Sequence, residues 1–489
     1  MNAVQVTRHS TRATMQPVAV PSALSTVSAA RRALVLGQHR VVLRHRPQGR
    51  LRKHAVTESM SEAEVDAFRE DTPGIADVRS ETPGGIAHFN AAGSALPPRA
   101  VLDAQVAYLQ LEAIAGGYET TEVEAAALAL PYTALASLLH CDSSEIAITQ
   151  SATSAWQCAF GALLESFQPG DRVLTARCEY ASNYIAYLQA ARTRGVVVET
   201  VPSDEETGEL DVHALKTILE QSTVDSRGLG PVKLISITHV PTSGGLVNDA
   251  AAVGVLAEKH RVPFLLDACQ SVGQMPTDVR ELKCDFLVGT GRKYLRGPRG
   301  IGFLYARNAF LEGKKRCEPV MLDLHGARWD AADSYAPAAG ARRFEQYEVS
   351  FCAKAGLGVA VQYVLDVGIE RVWARTRALA SVLRKELAKI PKVTVRDVGL
   401  VKCGIVTFDV DGVGVAEIRE RLRDAGVNVW TSRVCNNTRM EWEGRQTKAG
   451  TSREPGLPED VVRASVHYFN KDWEVQRLVD GVREIAVEA

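Results

Sequence analysis

The chain has no acidic residue before Glu58, no CxxC pair among its nine cysteines, and no apolar run that approaches membrane-spanning length. Each absence removes a class of explanation. A helix needs roughly 20 consecutive apolar residues to cross a bilayer, so no membrane partner is expected. Scattered cysteines without His/Cys metal spacing argue for reduced thiols, not for a disulfide framework or a metal site such as zinc. Residues 1–57 carry nine Arg and one Lys with scattered Ser and Thr. That composition predicts a transit peptide for plastid or mitochondrion, or else a disordered basic extension on a cytoplasmic protein. A secretory signal does not fit, because "RRALVLGQHRVVLRHR" never offers an uninterrupted apolar stretch. The formal net charge of −1 conceals this asymmetry: beyond residue 57, 47 basic residues face 58 acidic ones. A body of that sign suits nucleic acid poorly, since such binding rests on neutralising phosphates.

At 489 residues the chain exceeds the usual single-domain range. From about residue 98 it alternates between helical and strand-like stretches. "AVLDAQVAYLQLEAI" and "EAAALALPYTALASLL" have helical apolar spacing. "EIAIT", "DRVLTAR", "GVVVETV", "KLISITHV", "VPFLLDA", "CDFLVGT" and "GIGFLYA" are short apolar runs ending at polar residues or glycine, and "VGVLAEKHR" fits a crossover helix. This order predicts an α/β fold, with a large domain whose mostly parallel sheet lies between helices. We place an N-terminal segment and that domain at 58–345. Two long helical patterns, then "CGIVTFDV", "GVAEIRERLRDAG", "VNVWTS", "VVRASVHYF" and a closing helix predict a smaller C-terminal α+β domain at 346–489. No internal repeat is present.

Ligands of open α/β sheets collect beyond the carboxyl ends of strands, and several polar residues fall there. "FLLDACQS" places Asp267 where an apolar strand stops, a position also common for a helix cap or a metal ligand. The next strand, in "CDFLVGTGRK", delivers Lys293 a few residues after its end. Alone, that lysine reads as a solvated charge; together, the acid and the amine can face one crevice. "IAITQSATSAWQCAF" reads strand, polar turn, helix. Ser151 and Thr153 stand at the helix start, where free N–H groups favour an anion such as phosphate, or where they serve as ordinary caps.

With "HFNAAGSALPP" near the start of the body and "VVRASVHYFN" near its end, "DACQSVGQ" followed by "GTGRKYLRGPRGIGFLY" resembles the class V aminotransferase group of pyridoxal-phosphate enzymes, fold type I. This group includes cysteine desulfurases, isopenicillin epimerase-like proteins and the C–S lyases of ergothioneine biosynthesis. The resemblance implies pyridoxal 5'-phosphate as cofactor, a small amino-acid substrate and a homodimer. Lys293 corresponds to the Schiff-base lysine, and Asp267 to the acid that keeps the pyridine nitrogen protonated. Gln270 and Thr242 map to partners of the phenolic oxygen, and Tyr180 to the residue stacked on the ring. Ser151, Thr153, Thr290 and Arg292 map to phosphate holders, Arg292 standing where desulfurases usually have histidine. Arg463 matches the clamp on the substrate α-carboxylate, and Asn90 is a weaker substrate-side candidate.

Two departures matter. In "RRFEQYE", Glu348 occupies the position of a threonine that reaches the neighbouring subunit's phosphate, and an anion is unsuited to that contact. Cys435, in "WTSRVCNN", falls near the desulfurase mobile-loop cysteine, but the surrounding "RSGHHC"-like sequence is absent. The motifs therefore look most like the lyase and epimerase-like branch. The expected reaction is β-elimination at a C–S bond, on a cysteine-derived substrate such as a cysteine sulfoxide joined to a histidine betaine. Desulfuration to alanine and a persulfide is the alternative, followed by transamination or epimerisation. A non-catalytic scaffold of the same fold is disfavoured, because Lys293 and Asp267 are both present.

Overall fold

A computed structural model describes residues 59–76, 85–221, 228–312, 317–433 and 460–489. The leader expected over 1–57 and the candidate Cys435 lie outside them. The strands are β1 (Ala87–His88), β2 (Ile146–Thr149), β3 (Arg172–Ala176), β4 (Val197–Val201), β5 (Val232–Thr238), β6 (Phe264–Asp267), β7 (Phe286–Thr290), β8 (Gly302–Ala306), β9 (Ala327–Ala331), β10 (Ser334–Pro337), β11 (Val393–Val395), β12 (Ile405–Val410), β13 (Val427–Asn428), β14 (Trp430–Arg433) and β15 (Asp460–Ser465).

Seven of them form one sheet in the order β2-β8-β7-β6-β5-β3-β4. Its pairings are parallel except at β8, which runs against both β2 and β7. Every residue of β3, β6, β7 and β8 is buried. This explains why "FLLD" and "FLVGT" read as continuous apolar runs: both faces are covered by helices, so neither face selects polar residues. Helix Ala250–His260 makes the crossover between β5 and β6. It starts at Asp249, whose side chain accepts from Ala252 N, and stops at Arg261 in the left-handed conformation.

The second sheet, β11-β12-β15-β14, is wholly antiparallel. Helix Ile369–Leu387 buries Val372, Thr376, Leu379, Ala380, Leu383 and Leu387, a stripe at spacings of three and four. Leu379 and Leu383 join Ile418, Leu422, Leu478 and Val482 over the sheet.

The expected division at 345/346 is crossed in both directions. Strand β1 pairs with β13, and Phe89 is packed into the second sheet's core. Helix Phe351–Val367 instead contributes Ala353, Leu357, Val361 and Val364 to the first. Early residues thus complete the later core, because an apolar strand goes where its face is buried, whatever its place in the chain. The β9–β10 hairpin was not read from "ARWDAADSYAP", a short polar stretch with few bulky apolar residues; its Trp329 and Tyr335 are exposed.

Helix Ala250–His260 approaches its neighbour closely at Gly254, where an added Cβ would lie 2.0 Å from the Leu282 carbonyl oxygen. Gly254→Ala is expected to destabilise by up to about 2 kcal/mol, an overpacking cost of about 1–3 kcal/mol offset by a helix-propensity gain of about 1 kcal/mol. Urea denaturation followed by circular dichroism would show a lowered midpoint.

Candidate active site

Parallel register brings polar residues together at one sheet edge. Thr238 lies opposite Asp267, Asp267 opposite Val288, and Thr290 opposite Gly302 of the reversed strand. A cleft opens at this edge, lined by Ser151, Thr153, Tyr180, Asn183, Thr238, Thr242, Asp267, Gln270, Thr290, Arg292 and Lys293. The acid and amine read from separate strand ends share one cavity.

Lys293 is 8% exposed. Burial pulls its amine below the usual lysine range; neighbouring Cys269 and Asp267 oppose this, whereas the Arg292 and Arg463 guanidiniums reinforce it. The turn carrying it is fixed by Gly297 N donating to Gly291 O at 2.7 Å and Arg296 N to Lys293 O at 2.9 Å. Arg296, itself at positive φ, anchors the turn: Nε donates to Leu96 O at 2.8 Å and Nη1 to Tyr468 Oη at 2.6 Å. Its guanidinium lies 4.6 Å from the Phe469 ring centre. Asp267 is equally enclosed. Its Oδ1 accepts from Cys269 N and its Oδ2 from Asn183 Nδ2, each at 3.0 Å.

At one end, helix Ala152–Leu164 points its N-terminus into the cleft. Ser151 Oγ is engaged as the cap, accepting from Ser154 N at 3.0 Å, so the ordinary capping role holds for that side chain. Thr153 and Thr290 line the same cavity. Gly302 permits this approach, since an added Cβ would stand 2.4 Å from Ala152 N. Arg292 was expected with this group, but its Nη1 donates to the Gly93 carbonyl, so the guanidinium leans toward the turn that follows Asn90.

Beside that turn, Arg463 is 6% exposed. Its Nη1 donates to Thr242 O at 3.0 Å and Thr242 Oγ1 at 2.9 Å, and its Nη2 to Asn90 Oδ1 at 3.4 Å. Its Nε has no partner, and among the described residues no carboxylate pairs with it. Burial pulls its pKa down to about 10, Tyr294 opposing and Arg292 adding to the effect. Gln270 Nε2 donates to Ala92 O and Thr242 Oγ1, each at 3.1 Å, and its Oε1 is buried without a partner. Thr242 Oγ1 therefore has both lone pairs taken, leaving its proton to donate. Tyr180, 36% exposed, starts helix Ala181–Arg194 in the cleft wall.

Glu348 lies elsewhere. It lines a separate opening with Gln150, Gln346 and Met321, and its carbonyl accepts from Gln150 Nε2 at 3.0 Å. Sequence reasoning missed Glu179, Asn183 and Thr238, which form a buried hydrogen-bonded group next to Asp267, with Asn183 and Thr238 in the cleft lining. The signal for the first two was the polar content of "CEYASN", and for Thr238 its place near the end of "KLISITHV"; neither reveals burial. Among the described residues no cluster of three or more His, Cys, Asp or Glu could hold a metal.

The donor set suits an aromatic aldehyde that carries phosphate and a ring nitrogen. It offers a buried amine for the aldehyde, a carboxylate for a ring N–H, a helix N-terminus for the phosphate and a free hydroxyl proton for a phenolate. The unpartnered Gln270 Oε1 and Arg463 Nε are polar atoms left for ligands.

The comparisons with known proteins agree with this geometry. A protein of Methanothermobacter thermautotrophicus named as a probable cysteine desulfurase is 28% identical over 353 residues, covering 72% of this chain and 82% of its own. The apo structure of a cysteine desulfurase from Thermococcus onnurineus superposes with a TM-score of 0.74 at 22% identity, covering 87% of this chain and 98% of that one. The complex of the cystine C–S lyase C-DES with its product cysteine persulfide gives a TM-score of 0.68 at 21% identity, covering 82% and 97%. The family pattern described as Aminotransferase class-V matches residues 87–478. The chain belongs to the class-V aminotransferase family, and its cofactor is pyridoxal 5'-phosphate.

Proposed function

We propose that this enzyme breaks the carbon–sulfur bond of cysteine or a cysteine-derived amino acid. The observation that carries the amino-acid part is Arg463, a buried guanidinium with an unpartnered Nε and no carboxylate partner among the described residues, close enough to depress the Lys293 amine. An α-carboxylate seated there completes the ion pair and brings the substrate amine to Lys293. The sulfur part is supported by the relatives, which are named cysteine desulfurases. They favour desulfuration over the β-elimination preferred from the motifs, and the order of the two is accordingly reversed here.

The bound cofactor supplies an electron-accepting ring that stabilises negative charge at the substrate Cα. Lys293 anchors it and, once released, takes the Cα proton at Nζ; burial favours the neutral amine this requires. Asp267 holds a proton on the ring nitrogen. Thr242 donates its remaining hydroxyl proton to the phenolic oxygen, with Gln270 setting the orientation of that hydroxyl. Thr153, Thr290 and the N-terminus of helix Ala152–Leu164 hold the phosphate, and Tyr180 covers one ring face. Asn90 steadies Arg463. In desulfuration an enzyme thiolate attacks the substrate sulfur as the Cβ–S bond breaks, giving alanine and a persulfide; in β-elimination the sulfur leaves with its substituent, and water hydrolyses the released aminoacrylate to pyruvate and ammonia. We also propose a homodimer, whose contact would cover Val320, Met321, Leu324 and Trp329, apolar residues exposed in the single chain.

Borohydride reduction followed by peptide mapping should place the cofactor mass on Lys293. Lys293→Ala should carry none and lose about 10²–10⁴-fold in rate, the range for a missing general base. With cysteine as substrate, alanine and protein-bound persulfide should form in equal amounts, both lost in Cys435→Ser. Pyruvate without persulfide would instead establish the elimination reading. Arg463→Ala should raise KM about 10- to 100-fold, the equivalent of one charge-assisted hydrogen bond; an unchanged KM would remove it from substrate binding.

A further inference from the structure

Close to Asp267, joined to it through the cleft-lining Asn183, lies a second buried carboxylate. Glu179 follows β3 and, like Asp267, is 5% exposed. The two acids are joined by one amide: Asn183 Nδ2 donates to Glu179 Oε1 and to Asp267 Oδ2, each at 3.0 Å. With both N–H groups engaged, that amide cannot turn. Glu179 Oε1 also accepts from Tyr180 N at 2.6 Å and from Thr238 Oγ1, and Oε2 accepts from Thr175 Oγ1 at 3.1 Å. Each of these four donors is neutral. A glutamine could satisfy the same set, its carbonyl accepting at Oε1 while the Thr175 hydroxyl turned to accept from its amide. A carboxylate here adds one thing only, negative charge, at the cost of burying it.

We infer that Glu179 is a positioning residue for the cofactor's ring nitrogen: acting through Asn183, it fixes the plane of the Asp267 carboxylate and sets a second negative charge near it. The inference rests on Asp267 facing the ring nitrogen, not on which bond of the substrate breaks. Asp267 is gripped from both sides, by Asn183 on Oδ2 and by Cys269 N on Oδ1. The remaining lone pairs then point one way. The added charge makes a proton on the ring nitrogen harder to lose, which strengthens the ring as an electron acceptor.

Glu179 changes charge in the neutral range. Burial pushes its pKa up to about 7; the Thr238 hydrogen bond opposes this and the Asp267 charge adds to it. Its proton is therefore shed as pH rises through that value, and the second charge is present above it. The titratable and charged groups around it are Arg177 and Cys178 from its own loop, Tyr187 from the following helix, Asp267 and Cys269 from the end of β6, and Arg292 and Lys293 from the turn after β7. Burial holds the Cys178 thiol at about 12, and keeps the Tyr187 phenol and the Cys269 thiol well above their usual ranges. Those three stay neutral while Glu179 titrates.

The test is the ¹⁵N shift of the ring nitrogen in holoenzyme loaded with labelled pyridoxal phosphate, followed against pH in wild type, Glu179→Gln and Glu179→Asp. Glu179→Gln should lower the pH at which the nitrogen loses its proton by about one unit, the effect of removing a nearby charge. Glu179→Asp should restore part of that shift. A Glu179→Gln enzyme that binds cofactor stoichiometrically and keeps the wild-type titration, even with a lowered thermal midpoint, would reduce Glu179 to a structural residue and overturn the inference. A wild-type nitrogen that carries no proton at any pH would instead overturn the assignment of Asp267. Should Glu179→Gln fail to fold, Thr175→Val keeps the carboxylate but removes one donor, and a shift in the same direction is required there too; an unchanged titration in that variant overturns the inference.

Discussion

The pairing register of β5, β6 and β7 is the constraint on which the active site depends. β6 and β7 are buried, and apolar until their carboxyl ends, at Asp267 and Thr290, and β5, mostly apolar apart from Lys233 and Ser236, ends at Thr238. Parallel pairing aligns those ends on one edge. A slip of one residue would turn each side chain to the opposite face of the sheet, sending Asp267 among the helices and away from Lys293. Close packing of particular side chains against the helices on both faces opposes that slip, so packing energy far from the chemistry sets the geometry of the chemistry.

A third cation, beside the Arg292 and Lys293 that line the cleft, comes from the other sheet. Arg463 sits in β15, opposite Thr407 of β12 and Trp430 of β14. Asn90 is joined to the same strand through its bridge with Ser465. The loop bearing Thr242 is tied to this sheet by Asp397, whose Oδ1 accepts from Gly245 N at 3.0 Å and from Thr407 Oγ1 at 2.7 Å. Arg384 neutralises Asp397 at 2.7 Å and spends its Nη2 on the carbonyls of Cys403 and Ile405. A buried ion pair of this kind adds little net stability; its effect here is to fix one geometry, bringing an arginine from one sheet over a lysine from the other.

How much of this could be read from the sequence differs by residue. The strands were readable because continuous apolar runs have few other uses, and Asp267 and Lys293 because each breaks such a run at its end. Arg463 was readable only through the motif around it, since a strand arginine is ordinarily solvent-facing. The two cores were not divisible in sequence, because Phe89 and helix Phe351–Val367 each pack with residues far from them in the chain. Glu179 and Asn183 sit four apart at a helix start, a pattern equally natural on a surface. Only burial beside Asp267 separates the two cases, and burial of polar residues leaves no trace in composition. The lean of Arg292 toward Gly93 depends on a long flexible side chain choosing among acceptors that only the folded chain brings together.

The same enclosure has opposite consequences for two nucleophiles in the cleft. Burial disfavours charge, whatever its sign. For Lys293 the neutral form is the reactive amine, so enclosure prepares it to bond an aldehyde and later to take a proton. For Cys269 the neutral form is the unreactive thiol: burial, reinforced by Asp267, holds it well above the ordinary cysteine range despite Lys293 and Arg292 nearby. A single environment thus activates the amine and silences the thiol two residues from Asp267. If sulfur is transferred to a cysteine of this chain, the acceptor must approach from outside this enclosure, where a thiolate is not penalised. Cys435, the nucleophile candidate in "WTSRVCNN", lies outside the described residues.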